Sequence, residues 1–247
     1  MSETSVSTWE GGCQSFLEMA RAARAVPQHS KNKVDAAGQA LITLDPWNDG
    51  YDNALVVINN WRSSHSFPLN TFHVGLRRRV DRVDPGAVTS ERIKRLSSID
   101  QKLRRFKTRL SQMQDIGGCR ATVDSVDHVA RLVRSYEQSD LRHHLDHRDD
   151  YIAKPQRSGY RGMHLIYRYI SDRKDTYNGL KVEVQIRSLL QHAWATAVET
   201  VGTFTRQALK SSQGEDDWLR FFSLVGSAFA MREATPLVPG TLRTNPN

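Results

Sequence analysis

Two carboxylates and a run of cations are the residues of this chain whose types and spacing point to chemistry. Asp115 stands immediately before an apolar segment, 116–123, that opens on Ile116 and the pair Gly117 and Gly118. Glu183 lies in a stretch where Leu180, Val182, Val184 and Ile186 alternate with Lys181, Glu183, Gln185 and Arg187. A period of two makes this a strand with one apolar face and one face of charged and polar groups. Upstream, ERIKRLSSIDQKLRRFKTRL (91–110) holds eight basic residues against two acidic ones. Its spacing places Lys102 and Arg105 or Arg109 on one side of a helix, and Arg92 and Lys94 on one face of a preceding extended segment. Cations at this density repel one another unless an anion such as a triphosphate or an RNA backbone neutralises them. Magnesium takes one or two carboxylates and leaves its other positions to phosphate and water. Taken one at a time, these features read as a solvated helix face and surface ion pairs; together they read as a magnesium–nucleotide site.

Two further groups are ambiguous on their own. SGYRGMH (158–164) sets Tyr160 after a glycine in a loop leading to a strand, either packed or, beside Arg161, exposed to stack on a base. In HHLDHRDD (143–150), His143 and His147 are four apart, but the run leads into a strand, where that spacing does not bring two imidazoles onto one ion. It is read as a polar strand entry. Cys13 and Cys119 lack CxxC spacing and are read as reduced, structural thiols.

The elements that must position these residues follow from periodicity. The segment to Leu44 reads as a helix on Phe16, Met19, Ala20, Ala23 and Val26 followed by a loop. Asp52 is expected to cap a second helix, Pro68 to interrupt it, and a third to run over 69–80 and end in Arg77, Arg78 and Arg79. Beyond the Pro85-Gly86 turn come an extended segment at 88–95, a basic helix carrying Ile99, Leu103 and Phe106, and the 116–123 strand. A helix capped by Asp124 or Ser125 follows, then a strand that precedes or includes Tyr151 and strands at 163–170 and 180–187. Two helices finish the chain, the last with a core stripe of Trp218, Phe221, Phe222, Val225 and Phe229. The domain expectation is an N-terminal helical extension (1–86), a catalytic domain (87–235) and a flexible tail (236–247).

Composition narrows the function classes. The chain has 247 residues, 38% hydrophobic and 25% charged, so it folds as one domain or two small ones. A net charge of +8 favours phosphate-bearing partners. The longest apolar run, 54–58, is far short of the roughly 20 residues of a membrane span, and the first 30 residues show no secretory signal. A cytoplasmic protein with no membrane partner is expected.

In order, RIKRLSSIDQKLRR, QDIGGCR, DDYIAKPQRSGYRGMH, VEVQIRS and a helix opening with HAW resemble the synthetase domain of the RelA/SpoT family over 88–199, specifically its small single-domain members. The resemblance implies an α/β (α+β) fold, a mixed β-sheet flanked by helices and related to nucleotidyltransferases. The implied reaction moves pyrophosphate from ATP to a ribose 3′-hydroxyl. Arg92 and Arg120 would sandwich adenine, Lys94, Lys102 and Arg105 would bind the ATP phosphates, and Asp115 would hold magnesium. Glu183 would share the metal or take the proton of the attacking hydroxyl. Tyr160 would stack on the acceptor base, with Arg161, His164, Gln185 and Arg187 completing the acceptor side. Ser188 stands where the family usually has threonine, and Thr200 follows Glu199 where many alarmone-making members have histidine. No histidine–aspartate set matches the hydrolase domain of the long relatives, so alarmone hydrolysis is not expected.

The same resemblance frames the acceptor. NWRSSHSFPLN and HAWATAVETVGTF look like the toxic, often phage-encoded branch, which implies a toxin–antitoxin or phage-defence role, a neutralising antitoxin protein and the 3′-terminal adenosine of tRNA as acceptor. Arg77, Arg78 and Arg79 would then dock tRNA, a polyanion. The alternatives are GDP or GTP, giving (p)ppGpp, then an adenosine alarmone, a non-catalytic RNA- or nucleotide-binding module, or nucleoside monophosphate transfer, for which clustered paired aspartates are missing. Small relatives are often homo-oligomers, which sets that expectation here.

Overall fold

The computed structural model describes residues 25–240, in the order α1 (Lys31–Thr43), α2 (Asp49–Ser64), α3 (Ser66–Val83), β1 (Val88–Ile93), α4 (Leu96–Phe106), β2 (Gly117–Val123), α5 (Val126–Glu137), β3 (His144–Asp150), β4 (Met163–Arg168), β5 (Lys181–Ser188), α6 (Leu189–Thr205) and α7 (Asp216–Arg232). The helix expected on Phe16, Met19, Ala20 and Ala23 lies outside the described residues, as does Cys13. The compact units do not follow a boundary near residue 86. The described residues up to Phe67 join 95–113 in one unit, while 68–94 and the residues from Gln114 onward form the other.

In the first unit, α1 falls where a loop was expected. Ser30 caps it, its hydroxyl accepting from Lys33 N at 3.3 Å, and Val34, Ala37, Gly38 and Leu41 form its buried face. Small residues hid this stripe in the sequence. A Cβ on Gly38 would stand 2.9 Å from Leu110 Cβ, so glycine lets the short turn at Leu110–Gln112 close on α1. Asn48, not Asp52, caps α2; its Oδ1 accepts from Gly50 N at 2.8 Å, and Asp49 and Asp52 face the positive end of the helix dipole. On α4, Ile99 and Leu103 are buried as expected, but Phe106 is exposed, with Arg105 over its ring at 4.7 Å. Lys107 adopts the left-handed conformation there and ends the helix one residue after Phe106.

Pro68 does not interrupt a helix. It is the third residue of α3, where its missing N–H would have had no intrahelical partner.

The second unit is built on a five-stranded mixed sheet of order β1-β2-β5-β4-β3, in which only β2 and β5 run parallel. The parallel pair follows from the crossover through α5, which Ser125 caps. Cys119, Ala121, Val123, Val182, Val184, Ile186 and Leu165 make the apolar face, packed against Val129, Leu132, Val133 and Tyr136 of α5. Apolar surface buried at about 25 cal/mol per Å² makes this layer a stabilising contact of the unit. Cys119 is the buried free thiol, its ionisation pushed up by desolvation.

The strand expected to precede or include Tyr151 is the edge strand β3, bulged between Leu145 and His147; residues 144–150 of HHLDHRDD form it rather than only leading into it. A second expectation is corrected in this unit. On α7, Phe222 is buried and Trp218, Val225 and Phe229 pack against the same cluster, but Phe221 is half exposed, so the stripe is narrower than expected.

Candidate active site

The sheet's second face carries the chemistry, and its register explains why. Arg92 of β1 pairs with Gly118 of β2, which pairs with Glu183 of β5; one step along, Arg120 pairs with Gln185, which pairs with His164 of β4. Residues paired across strands share a face, so Arg92, Arg120, His164, Glu183, Gln185 and Arg187 all project to the side opposite the α5 core. Gly118 leaves the floor open: a Cβ there would stand 3.8 Å from Glu183 Oε2.

A closed circuit of side chains holds Glu183. Its Oε1 lies 2.9 Å from His164 Nδ1, and its Oε2 accepts from Gln185 Nε2 at 2.6 Å. Gln185 Oε1 accepts from Arg187 Nη2 at 2.8 Å, the same nitrogen donates to the Tyr160 hydroxyl at 2.7 Å, and that hydroxyl meets His164 Nε2. Arg187 can only donate, so the Tyr160 hydroxyl accepts from it, while His164 faces Glu183 through Nδ1 and Tyr160 through Nε2. Burial pushes the Glu183 carboxyl up, but His164, by hydrogen bond and charge, more than offsets it and holds the group below the usual carboxylate range; Asp115 opposes this with its like charge. Asp115, just ahead of β2, accepts from Lys94 Nζ at 2.7 Å, and Lys94 N donates to Ile116 O.

Beyond Arg187 a second group of charges gathers. Arg120 is half buried; burial, then Arg187 and Arg92, lower its pKa. Lys210 pairs with Glu199, and burial and Arg187 lower the lysine. Burial, Arg120 and Arg187 lower His192 in the same way. Lys210, His192 and Glu199 were not among the expected site residues. His192 belongs to the HAW motif, whereas Lys210 sits in a loop with no periodicity to mark it.

Three expected roles are corrected. Tyr160 is not an open stacking platform: it is 3% exposed, grouped with Trp194, Val198, Leu209 and Phe222, and burial pushes its hydroxyl up to about 12. Arg161 does not reach the acceptor side, because it is 2% exposed and donates to the carbonyls of Ile152 and Pro236. Arg79 does not stand free for docking; its guanidinium covers the Tyr136 ring at 4.6 Å, while Arg77 and Arg78 remain exposed on α3. Lys102 and Arg105 lie on α4 in the first compact unit and are described there by themselves.

The fold is that of the small alarmone synthetases. The small alarmone synthetase 1 of Bacillus subtilis, solved bound to its product pppGpp, superposes with a TM-score of 0.60 at 23% identity, over 71% of this chain and 94% of that one. Residues 91–204 match the family described as "Region found in RelA / SpoT proteins". Curated relatives include GTP pyrophosphokinase YjbM of Bacillus subtilis, 36% identical over 110 residues (42% of this chain, 51% of the relative). GTP pyrophosphokinase YwaC of the same organism is 30% identical over 115 residues (44% and 54%). The chain thus spans about half the length of the curated relatives it matches.

Proposed function

We propose that this chain is an ATP-dependent pyrophosphokinase that transfers the β,γ-pyrophosphate of ATP to a ribose 3′-hydroxyl. The observation that carries the reading is Glu183: an ionised carboxylate on an open glycine floor, fixed through both oxygens and flanked by the Asp115–Lys94 pair. In the reaction the 3′-oxygen forms a bond to the β-phosphorus, the bond from that phosphorus to the α,β-bridging oxygen breaks, AMP leaves, and Glu183 takes the hydroxyl proton. Arg92 and Arg120 hold the adenine, and Lys94 the ATP phosphates. His164 and Gln185 contact the acceptor, while Arg187, itself 2% exposed, braces Gln185 and the Tyr160 hydroxyl behind them, and that hydroxyl positions His164. Two carboxylates near enough to oppose each other's ionisation suit magnesium, which needs no further protein ligand when phosphate oxygens are present. Asp115 and Glu183 would hold it, and when bound it neutralises developing phosphate charge. Positioning and charge neutralisation supply most of the acceleration.

A guanosine nucleotide is the acceptor supported by the names of the relatives. The 3′-terminal adenosine of tRNA is a second reading, supported by the two exposed cations Arg77 and Arg78. Supplying ATP labelled at the γ-phosphate with GDP, GTP, ATP or tRNA tests both. Label in a guanosine nucleotide supports the first acceptor, label in tRNA the second, and no label in any of them refutes the transfer reaction.

A further inference from the structure

The chain past α7 turns back and is fastened to the loop that carries Tyr160. Ala234 adopts the left-handed conformation (φ 50°), its N–H donates to Met231 O at 3.3 Å, and Thr235 N donates to Ala230 O at 2.9 Å, the pair of bonds that reverses a chain at a helix end. Alanine lacks the freedom of glycine there, so the residues that follow must keep the turn closed. Val238 does this: it is 2% exposed, and its N–H donates to Ser227 Oγ at 3.2 Å, back on α7. Ser227 adjoins Gly226, the residue that meets Gly159. Residues 235–238 thus form a strap held on α7.

Arg161 joins strap and loop. Its Nη2 donates to Pro236 O at 2.6 Å and its Nη1 to Ile152 O at 3.4 Å, while Nε is buried without a partner. Among the described residues no carboxylate pairs with it. Glu233, whose charge favours the ionised guanidinium, is engaged by Ser188 Oγ and by Gln191 Nε2 at 3.0 Å. Stability does not account for a buried cation without an ion pair. Its planar fork does, because it fixes two carbonyls from distant parts of the chain against each other. The neighbouring side chain serves the other end of the loop: the Tyr160 hydroxyl accepts from Arg187 and meets His164, which faces Glu183. Backbone bonds from Gln156 N to Tyr160 O and from Tyr151 N to Gly162 O hold the loop to 151–156, and Arg161 adds the tie to the strap. We propose that Arg161 is a positioning residue that transmits the seating of 235–238 to Tyr160, and through the Tyr160 hydroxyl to His164 and Glu183. The effect on catalysis rests on the pyrophosphokinase reading; the coupling of strap and loop does not.

The test is amide hydrogen exchange of the full chain and its Arg161→Met, Val238→Asp and Ser227→Ala variants, compared between residues 151–162 and α5, with kcat and the KM for ATP measured by label transfer. Arg161→Met removes the fork and leaves the strap's own anchors, whereas Val238→Asp unseats the strap and leaves Arg161. Both are expected to speed exchange in 151–162 by about tenfold or more with α5 unchanged. Both should also lower kcat by about tenfold or more with the KM for ATP within about threefold of the wild type. Ser227→Ala gives up one anchor of the strap, should move both readouts the same way by about threefold, and decides the case if either of the others fails to fold. A lower Tm with loop exchange and kcat at wild-type values makes Arg161 a packing residue and overturns the proposal. So does a response to Arg161→Met that Val238→Asp and Ser227→Ala do not share, or an equal rise of exchange in α5. If the wild type transfers no label while loop exchange still responds to all three variants, the reaction fails and the coupling stands.

Discussion

Gly226→Ala tests how the structure places Tyr160, and Gly75→Ala provides its reference. Both glycines are in helices, α7 and α3, where alanine ordinarily gains about 1 kcal/mol. Nothing lies within 4 Å of a Cβ on Gly75, so that gain should appear in full, raising Tm by roughly 2 to 4 °C. A Cβ on Gly226, by contrast, would stand 2.9 Å from Gly159 Cα and 3.0 Å from Gly159 O. Carbon atoms prefer about 3.5 to 4.0 Å, so α7 and the 158–162 loop must part by about half an ångström or more. Gly159 cannot turn away: its φ is +97°, and a Cβ on it would meet Phe222 O at 2.8 Å. Overpacking of this kind costs about 1 to 3 kcal/mol. The helix-propensity gain cancels between the two variants, so their difference isolates the packing cost and puts Gly226→Ala roughly 2 to 12 °C below Gly75→Ala. Because Tyr160 follows Gly159 and its hydroxyl ties Arg187 to His164, label transfer should fall in Gly226→Ala and stay unchanged in Gly75→Ala. Calorimetry on the two variants, followed by the transfer assay at a temperature where both are folded, makes the comparison. An equal rise in Tm for both would show that helix and loop are not in backbone contact, and the account of Tyr160 would fail with it.

Three other outcomes are expected. Glu183→Gln keeps the size of the side chain and should cut the transfer rate by about 10² to 10⁴-fold with Tm nearly unchanged; turnover at the wild-type rate would remove Glu183 from the reaction. His65 is buried, pairs with Trp61 O through Nδ1 at 2.7 Å, and has its pKa lowered by burial from 6.5 to about 4. The unfolded chain therefore binds more protons between these values, so the full contribution is present above about pH 6.5 and is lost as pH falls toward 4, amounting to about 3 kcal/mol. His65→Gln should flatten the stability–pH curve in that window, and an unaltered slope in denaturant titrations would contradict the burial argument. Replacing Arg77 and Arg78 with glutamate should weaken a tRNA reaction and its salt dependence far more than a GDP reaction; equal effects would take these arginines out of tRNA docking.

What could be read from the chain by itself was what repeats locally. The two-residue alternation of 180–187 identified β5 and set Glu183, Gln185 and Arg187 on its polar face, because side-chain direction in a strand depends only on position. The same local logic marked β2 behind its glycine pair, the cap and stripe of α5, and ordered motifs within the residues that match the RelA/SpoT description. It missed α1, whose buried face is made largely of small residues, and it read Pro68 as a break because the helix start was placed too late. Tertiary structure decided the partners. Tyr160 and Arg187 are 27 residues apart, Arg161 and Pro236 are 75 apart, and Lys210 reaches Glu199 only because Gly202 lets the chain fold back. Each of these contacts pairs groups whose separation along the chain carries no period, so local spacing could name the charged residues but not which would be buried, which would hold one another, and which would be left facing a ligand.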